Sequence, residues 1–284
     1  MSTTKIGWIG LGLMGAPMSQ QLIKAGYPVT VYNRSKDKEE ALQEQGAATA
    51  STPAELIAQS DVVILMVTDD KAINEIFKSD NGLLAANATG KIIINMSTVS
   101  PAISKEIAGL CSGQGNHYLD APVSGSVKQA ETAQLVIMVG GDEQVFQQAL
   151  PVLQKLGKMA EHVGEVGAGN TAKLAINMLL GIHAQALGEA VVLAKQNGIA
   201  PATLLTLLNN GALANPFMKI KGDAILNDNY APAFSLNNIV KDLNLAKDIG
   251  LSSPLGTAAL NTYEAAQAQF GEEDIIAVIK QVTQ

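Results

Sequence analysis

Gly10, Gly12 and Gly15 follow directly on an apolar run, in the order I-G-W-I-G-L-G-L-M-G from Ile6 to Gly15. At this spacing Gly10 permits a tight turn out of a strand, Gly12 lets backbone approach a pyrophosphate, and Gly15 lets the following helix pack closely on the sheet. The helix start, where Leu13 and Met14 stand among the glycines, would hold the phosphates on its amide groups. Ordinary turns also carry glycines, but here a helix-period segment from Leu13 to Ala25, a stop at Gly26 and a second strand from Val29 to Tyr32 complete the context of a dinucleotide site.

The residue after that second strand bears on the choice of nicotinamide cofactor, because an acidic side chain there binds the ribose 2'-hydroxyl. Asn33, Arg34, Ser35 and Lys36 stand in its place and offer cations and a hydroxyl suited to a 2'-phosphate. The charge logic therefore favours NADPH over NADH. The competing reading has Arg34 and Lys36 merely solvating a helix start, a role for which Asp37, Glu39 and Glu40 in the next turn already suffice.

Other chemistries find little support. Cys111 is the only cysteine, so an intrachain disulfide and a thiolate metal cluster are excluded, and it sits in a helix-like stretch (102–111) without an activating base. His117, His162 and His183 are irregularly spaced, and no calcium-loop pattern occurs, so no metal is expected. Asp69 and Asp70 leave a buried strand and are expected to cap the next helix. A net charge of -7 without long like-charge runs argues against a nucleic-acid partner. No uninterrupted apolar run reaches the roughly 18 residues of a membrane span, and Met1 to Lys5 lacks a secretory pattern, so a cytoplasmic location is expected.

The elements that must position the glycine loop can be read along the chain. Apolar strands at 61–67, 91–95, 117–120 and 135–139 alternate with helical segments, the rhythm of a doubly wound α/β sheet, and the continuous run 62–67 suits a parallel strand covered on both faces. After about Val163 the pattern becomes helical. The expectation is an N-terminal Rossmann domain (1–163) and an all-α domain (164–284). They would be joined through a long helix, 169–197, spanning about 40 Å. Shorter helices are expected at 201–208, 239–250, 254–269 and 273–281, with a loop at 227–235.

Four motifs in order, G-L-G-L-M-G-A-P-M (10–18), D-A-P-V-S-G-S (120–126), G-A-G-N-T-A-K-L-A-I-N (167–177) and K-D-L-N-L-A (241–246), make the chain resemble the β-hydroxyacid dehydrogenase family over essentially its whole length. Asn33-Arg34-Ser35 and the blocks N-Y-A-P-A-F-S-L (229–236) and V-K-D-L (240–243) look most like NADPH-dependent glyoxylate/succinic semialdehyde reductases. Ser126 departs from the second glycine that many relatives carry, which would alter the shape of the substrate loop.

The resemblance implies reduction of a small carboxylate-bearing aldehyde by hydride transfer. The nascent alkoxide then needs a proton donor, and Lys173 is the candidate. Asn177, four residues on and about 40° around the helix, would orient the lysine or the substrate oxygen. Without the resemblance, this pair reads as an exposed polar stripe. Ser124 and Gly125 would hold the substrate carboxylate, Lys241 would add a cation near substrate or nicotinamide, and Phe234 would wall off the pocket or serve as core. Thr98 occupies the loop that touches the nicotinamide ring in the family, and Val67 and Thr68 would pass close to the cofactor. Asp242 is expected to anchor its helix, Met66 to sit in the core, and Glu189, Leu187, Val191 and Leu193 to support packing. By analogy with relatives, a homodimer or homotetramer is expected. Alternatives within the family are 3-hydroxyisobutyrate or tartronate semialdehyde dehydrogenase, and imine reductases, which generally replace the lysine. From another class comes a noncatalytic NADPH-binding module.

Overall fold

The computed structural model describes residues 4–283. The chain divides into two compact units, one running to Lys173 and the other starting at Leu174.

The first unit is built on one sheet. Its strands are β1 (Ile6–Ile9), β2 (Val29–Tyr32), β3 (Ala48–Thr49), β4 (Val62–Leu65), β5 (Ile92–Asn95), β6 (His117–Asp120), β7 (Val123–Ser124), β8 (Leu135–Gly140) and β9 (Gly157–Gly164). Their order is β3-β2-β1-β4-β5-β6-β8-β7, with β9 paired to β8. From β3 to β6 every pairing is parallel. Beyond β6 the sheet is mixed, because β8 runs antiparallel to both β6 and β7 and parallel to β9. Successive side chains of a strand point to opposite faces, and β4 shows the result: Val62 and Ile64 enter one apolar core, Val63 and Leu65 the other. The sheet is thus covered on both faces, as its continuous apolar strands require.

Among the described residues, seven α-helices alternate with these strands: α1 (Gly15–Lys24), α2 (Glu40–Gln43), α3 (Pro53–Gln59), α4 (Asp70–Lys78), α5 (Pro101–Gly113), α6 (Val127–Glu131) and α7 (Glu143–Leu153). Several starts are legible in the sequence as caps. Thr52, Asp69, Ser100 and Asp142 each accept a hydrogen bond from the backbone N–H three residues on. The sequence reading omits β3, β7 and β9. The first two have two residues each, too few to show a period, and β9 is an exposed strand rich in polar residues.

The long helix α8 (Ala168–Gln196) begins in the first unit and continues through the second, followed by α9 (Pro201–Asn210), α10 (Pro216–Leu226), α11 (Leu236–Asp248), α12 (Pro254–Phe270) and α13 (Val278–Val282). By length and composition alone α8 could cross a membrane. Ala184, Leu187 and Val191 nevertheless spend its apolar face on the core of the second unit. Leu193 corrects the packing expectation: it is 64% exposed, because it lies two residues beyond Val191 and therefore on nearly the opposite side of the helix. The helix α10 is also absent from the sequence reading, although Asn215 caps it and Pro216 opens it. The expected helix 273–281 is a short 3-10 turn (Ile275–Ala277) followed by α13, since Asp274 turns its carboxylate onto the Ile276 N–H.

Candidate functional site

At the C-terminal end of β1, Gly10 has φ +97°, and a Cβ there would lie 2.2 Å from the Met66 carbonyl oxygen. Gly15 is equally constrained, since its Cβ would meet the Gly10 carbonyl at 2.0 Å. The Trp8 indole N–H donates to that same carbonyl at 2.9 Å and fixes the turn. Gly12 differs, because nothing lies within 4 Å of where its Cβ would be. Packing therefore demands Gly10 and Gly15, while Gly12 faces open space that a phosphate backbone would use. The first turn of α1 has no acidic residue and no side-chain cap, so no side chain there competes with an external anion at the positive end of the helix. Leu13 beside them is 77% exposed and Met14 is half-buried. These features fit a dinucleotide.

At the end of β2, Asn33 does more than replace an acid. Its Oδ1 accepts from the Leu11 N–H at 2.9 Å and its Nδ2 donates to the Ser35 carbonyl at 2.8 Å, tying the strand end to the glycine loop. Arg34 and Ser35 are exposed. Lys36 corrects the charge reading. Its ammonium donates to Glu39 Oε1 at 2.9 Å and the Ala50 carbonyl at 3.1 Å, and lies 4.5 Å from the Tyr32 ring centre. Buried Glu39 also accepts from the Asn33 N–H, so it is occupied with this turn and not with the positive end of a helix. Exposed Arg34, directly after β2, makes no ion pair or side-chain hydrogen bond among the described residues.

The loops after β4 and β5 are stitched together. Val67 N–H donates to buried Ser97 Oγ at 2.9 Å, placing exposed Thr68 and half-buried Thr98 on neighbouring strand ends. Asp69 caps α4 through the Ala72 N–H, whereas Asp70 accepts from both the amide and the hydroxyl of Ser100. Met66 is half-buried against the core.

The start of α8 rests on Asp120, at the end of β6. Its Oδ1 accepts from the Gly167 N–H at 2.7 Å and its Oδ2 from the Asn170 N–H at 2.8 Å. The helix thus meets its anion from within the chain. Burial pushes the Asp120 carboxyl above the ordinary carboxylate range, opposed by these hydrogen bonds. Only glycine permits the approach: a Cβ on Gly169 would lie 2.4 Å from the Asp120 carbonyl oxygen, and one on Gly140 2.4 Å from Asp120 Oδ1. Lys173, one turn beyond Asn170, is half-buried. Sequence reasoning quotes Asp120 and Asn170 within motifs but assigns them no role. Their signal is a buried Asp and Asn among glycines, interpretable only once the strand end and helix start are adjacent.

Ser124 lies in β7, paired with Val136 of β8, and is half-buried; Gly125 follows, exposed, with φ +140°. A Cβ there would lie 2.8 Å from Leu135 Cδ2. Ser126 has φ -100°, a conformation open to any residue, and both its N–H and hydroxyl bond to Gln129 Oε1, at 2.9 and 2.6 Å. Its side chain therefore closes the loop onto α6, where a glycine would leave only the backbone contact. Cys111 is buried, which pushes its thiol up to about 12 and away from nucleophilic use.

In the second unit, Asn177 on α8 and Asp242 on α11 are both 2% exposed and share a hydrogen bond, Nδ2 to Oδ2, of 2.5 Å. Lys241 is more exposed, with Nζ 3.2 Å from Asp242 Oδ1, a charge contact outside hydrogen-bond geometry. The anchoring expected of Asp242 thus runs to Asn177. Phe234 sits before the Ser235 cap of α11, half-buried against the core, with its N–H 3.4 Å from Asp274 Oδ2. The structure therefore gathers Asn177, Lys241 and Asp242 in one cluster. The first unit holds the glycine loop, Asn33, Val67 and Thr98 at the C-terminal ends of parallel strands, where ligands bind open α/β sheets.

Known proteins extend this geometry. Residues 5–164 match the family model of the NAD-binding domain of 6-phosphogluconate dehydrogenase. Residues 167–282 match that of the NAD-binding of NADP-dependent 3-hydroxyisobutyrate dehydrogenase. Glyoxylate/succinic semialdehyde reductase 1 of Arabidopsis thaliana is 38% identical over 98% of both chains. The 2-(hydroxymethyl)glutarate dehydrogenase of Eubacterium barkeri is 35% identical over 97% of this chain and 94% of its own. The solved 3-hydroxyisobutyrate dehydrogenase of Mycobacterium tuberculosis with L-serine shares 33% identity at a TM-score of 0.90, with 100% of both chains covered. With the dinucleotide loop and two unit-wide matches in hand, the chain belongs to the 3-hydroxyisobutyrate dehydrogenase-like family of NAD(P)-dependent hydroxyacid dehydrogenases.

Proposed function

We propose that the protein reduces small carboxylate-bearing aldehydes, glyoxylate and succinic semialdehyde, to their hydroxyacids with NADPH. The observation that carries this reading is the 38% identity, over 98% of both chains, to a reductase named for those two aldehydes. Exposed Arg34 after β2, with no ion pair among the described residues, supports a 2'-phosphate over a bare ribose hydroxyl. NADPH, when bound, supplies the hydride.

The chain's residues divide the remaining work. As the carbonyl carbon gains the hydride, its oxygen gains negative charge, and Lys173 Nζ donates a proton to it, so that the hydroxyacid leaves neutral at that oxygen. Asn177 has its Nδ2 engaged with Asp242, which leaves the amide carbonyl to accept from an ammonium or hydroxyl. Ser124 and Gly125 offer a hydroxyl and an amide to the substrate carboxylate, and Lys241 a cation. Phe234 limits water near the nicotinamide, and Thr98, Val67 and Thr68 border the cofactor. Assembly into a homodimer or homotetramer belongs to this reading by resemblance to the family.

The test is absorbance at the reduced-nicotinamide band with NADPH or NADH and a panel of glyoxylate, succinic semialdehyde, tartronate semialdehyde and methylmalonate semialdehyde. NADPH-selective turnover of the first two supports the proposal. Turnover restricted to the others keeps the mechanism and replaces the substrate, while cofactor binding without turnover of any overturns both.

A further inference from the structure

Asn170 is wholly buried, and each polar atom of its side chain faces a different segment of the first unit. Its Oδ1 accepts from the Val99 N–H at 3.0 Å, next in the chain to Thr98. Its Nδ2 donates to Ser104 Oγ on α5 at 3.3 Å and lies 3.5 Å from Asp120 Oδ2. Its own N–H is fixed by Asp120, at the end of β6. Three residues further along α8, on nearly the same helical face, stands Lys173.

Fixing the amide orientation takes two constraints, and both are present. Ser104 accepts from the nitrogen, so the oxygen must point at Val99. The 96–100 loop is also tied elsewhere, by Ser97 to Val67 and by Ser100 to Asp70. Those ties locate the loop on the sheet, whereas the Val99 bond sets its distance from α8.

We propose that Asn170 is a positioning residue coupling the loop that carries Thr98 to the helix that carries Lys173, so that nicotinamide placement and proton delivery depend on one buried amide. The proposal rests on the roles given above to Thr98 and Lys173. Hydride transfer is sensitive to sub-ångström displacement, and a misplacement of about 1 Å costs on the order of 100-fold in rate.

Two measurements test it. In Asn170→Ala, kcat is expected to fall by about 10- to 100-fold with little change in the KM for aldehyde or the Kd for NADPH. The kinetic isotope effect from NADPH deuterated at the transferred position is expected to rise. Ser104→Ala, in which Asp120 Oδ2 still accepts from the amide nitrogen and so keeps the oxygen on Val99, is expected to lower Tm but keep the wild-type isotope effect. A loss of kcat in Asn170→Ala that merely follows the folded fraction, with the isotope effect unchanged, overturns the coupling. Native-state hydrogen exchange on the unmodified protein supplies the second measurement and needs no turnover. The Val99 amide is expected to open together with the Thr171 amide in the first turn of α8; independent exchange of Val99 overturns the proposal. If the protein turns over no aldehyde, the functional reading fails, while the exchange result still decides the coupling.

Discussion

Asn177 and Asp242, 65 positions apart, share a buried hydrogen bond of 2.5 Å that joins α8 to α11, and the same carboxylate faces the ammonium of Lys241. One acid thereby holds two groups assigned to substrate handling. Removing it leaves a buried amide donor without an acceptor, which costs about 1–3 kcal/mol. Asp242→Ala and Asn177→Ala are therefore expected to be non-additive in urea unfolding, with a coupling of roughly 0.5–3 kcal/mol. Additive effects would show that the bond contributes nothing of its own.

Lys173→Ala is expected to lower kcat by about 100- to 10,000-fold, the usual worth of a positioned acid. NADPH binding, followed by fluorescence titration, should persist. Loss of both together with a lowered Tm would mark a folding defect and leave the lysine's role unproven.

The glycine loop offers a paired test. Gly12→Ala places its methyl in open space, so Tm should hold while NADPH affinity drops. Gly15→Ala drives a methyl into the Gly10 carbonyl, so Tm itself should fall. Equal stability of the two variants, seen by thermal unfolding, would contradict this division.

Arg34→Ala should lower kcat/KM for NADPH about tenfold or more while sparing NADH, because a charge-assisted hydrogen bond contributes about 1.5–3 kcal/mol. Lys36→Ala should leave the cofactor ratio unchanged, since its ammonium is already held by Glu39 and Ala50. A switch in preference from Lys36→Ala instead would relocate the phosphate contact.

Asp120 gives a pH prediction. Its carboxyl titrates above its ordinary value in the folded chain. The folded state thus holds the proton more tightly than the unfolded state, and the associated stability is complete below the ordinary carboxylate range and lost as pH rises through the raised value. The difference in unfolding free energy between the wild type and Asp120→Asn should fall across that window and then level off. Urea titrations over a pH series measure it, and a flat difference would refute the assignment.

Much of this protein is legible along the chain. Strands β1, β2 and β6 and the helix α8 lie where apolar period and glycine stops place them, and the glycine spacing announces the dinucleotide loop, because those signals are local. The family motifs likewise fix which lysine, serine and asparagine to consider. Tertiary structure alone decided the partners. Lys36 reads as a free cation until Glu39 folds back upon it. Asp242 reads as a helix residue until α11 brings it against Asn177. Asp120 and Asn170, 50 positions apart, acquire a purpose only where β6 ends beneath the start of α8. A hydrogen bond between distant segments has no period in sequence; it exists only once the sheet and helices have set its two ends within about 3 Å.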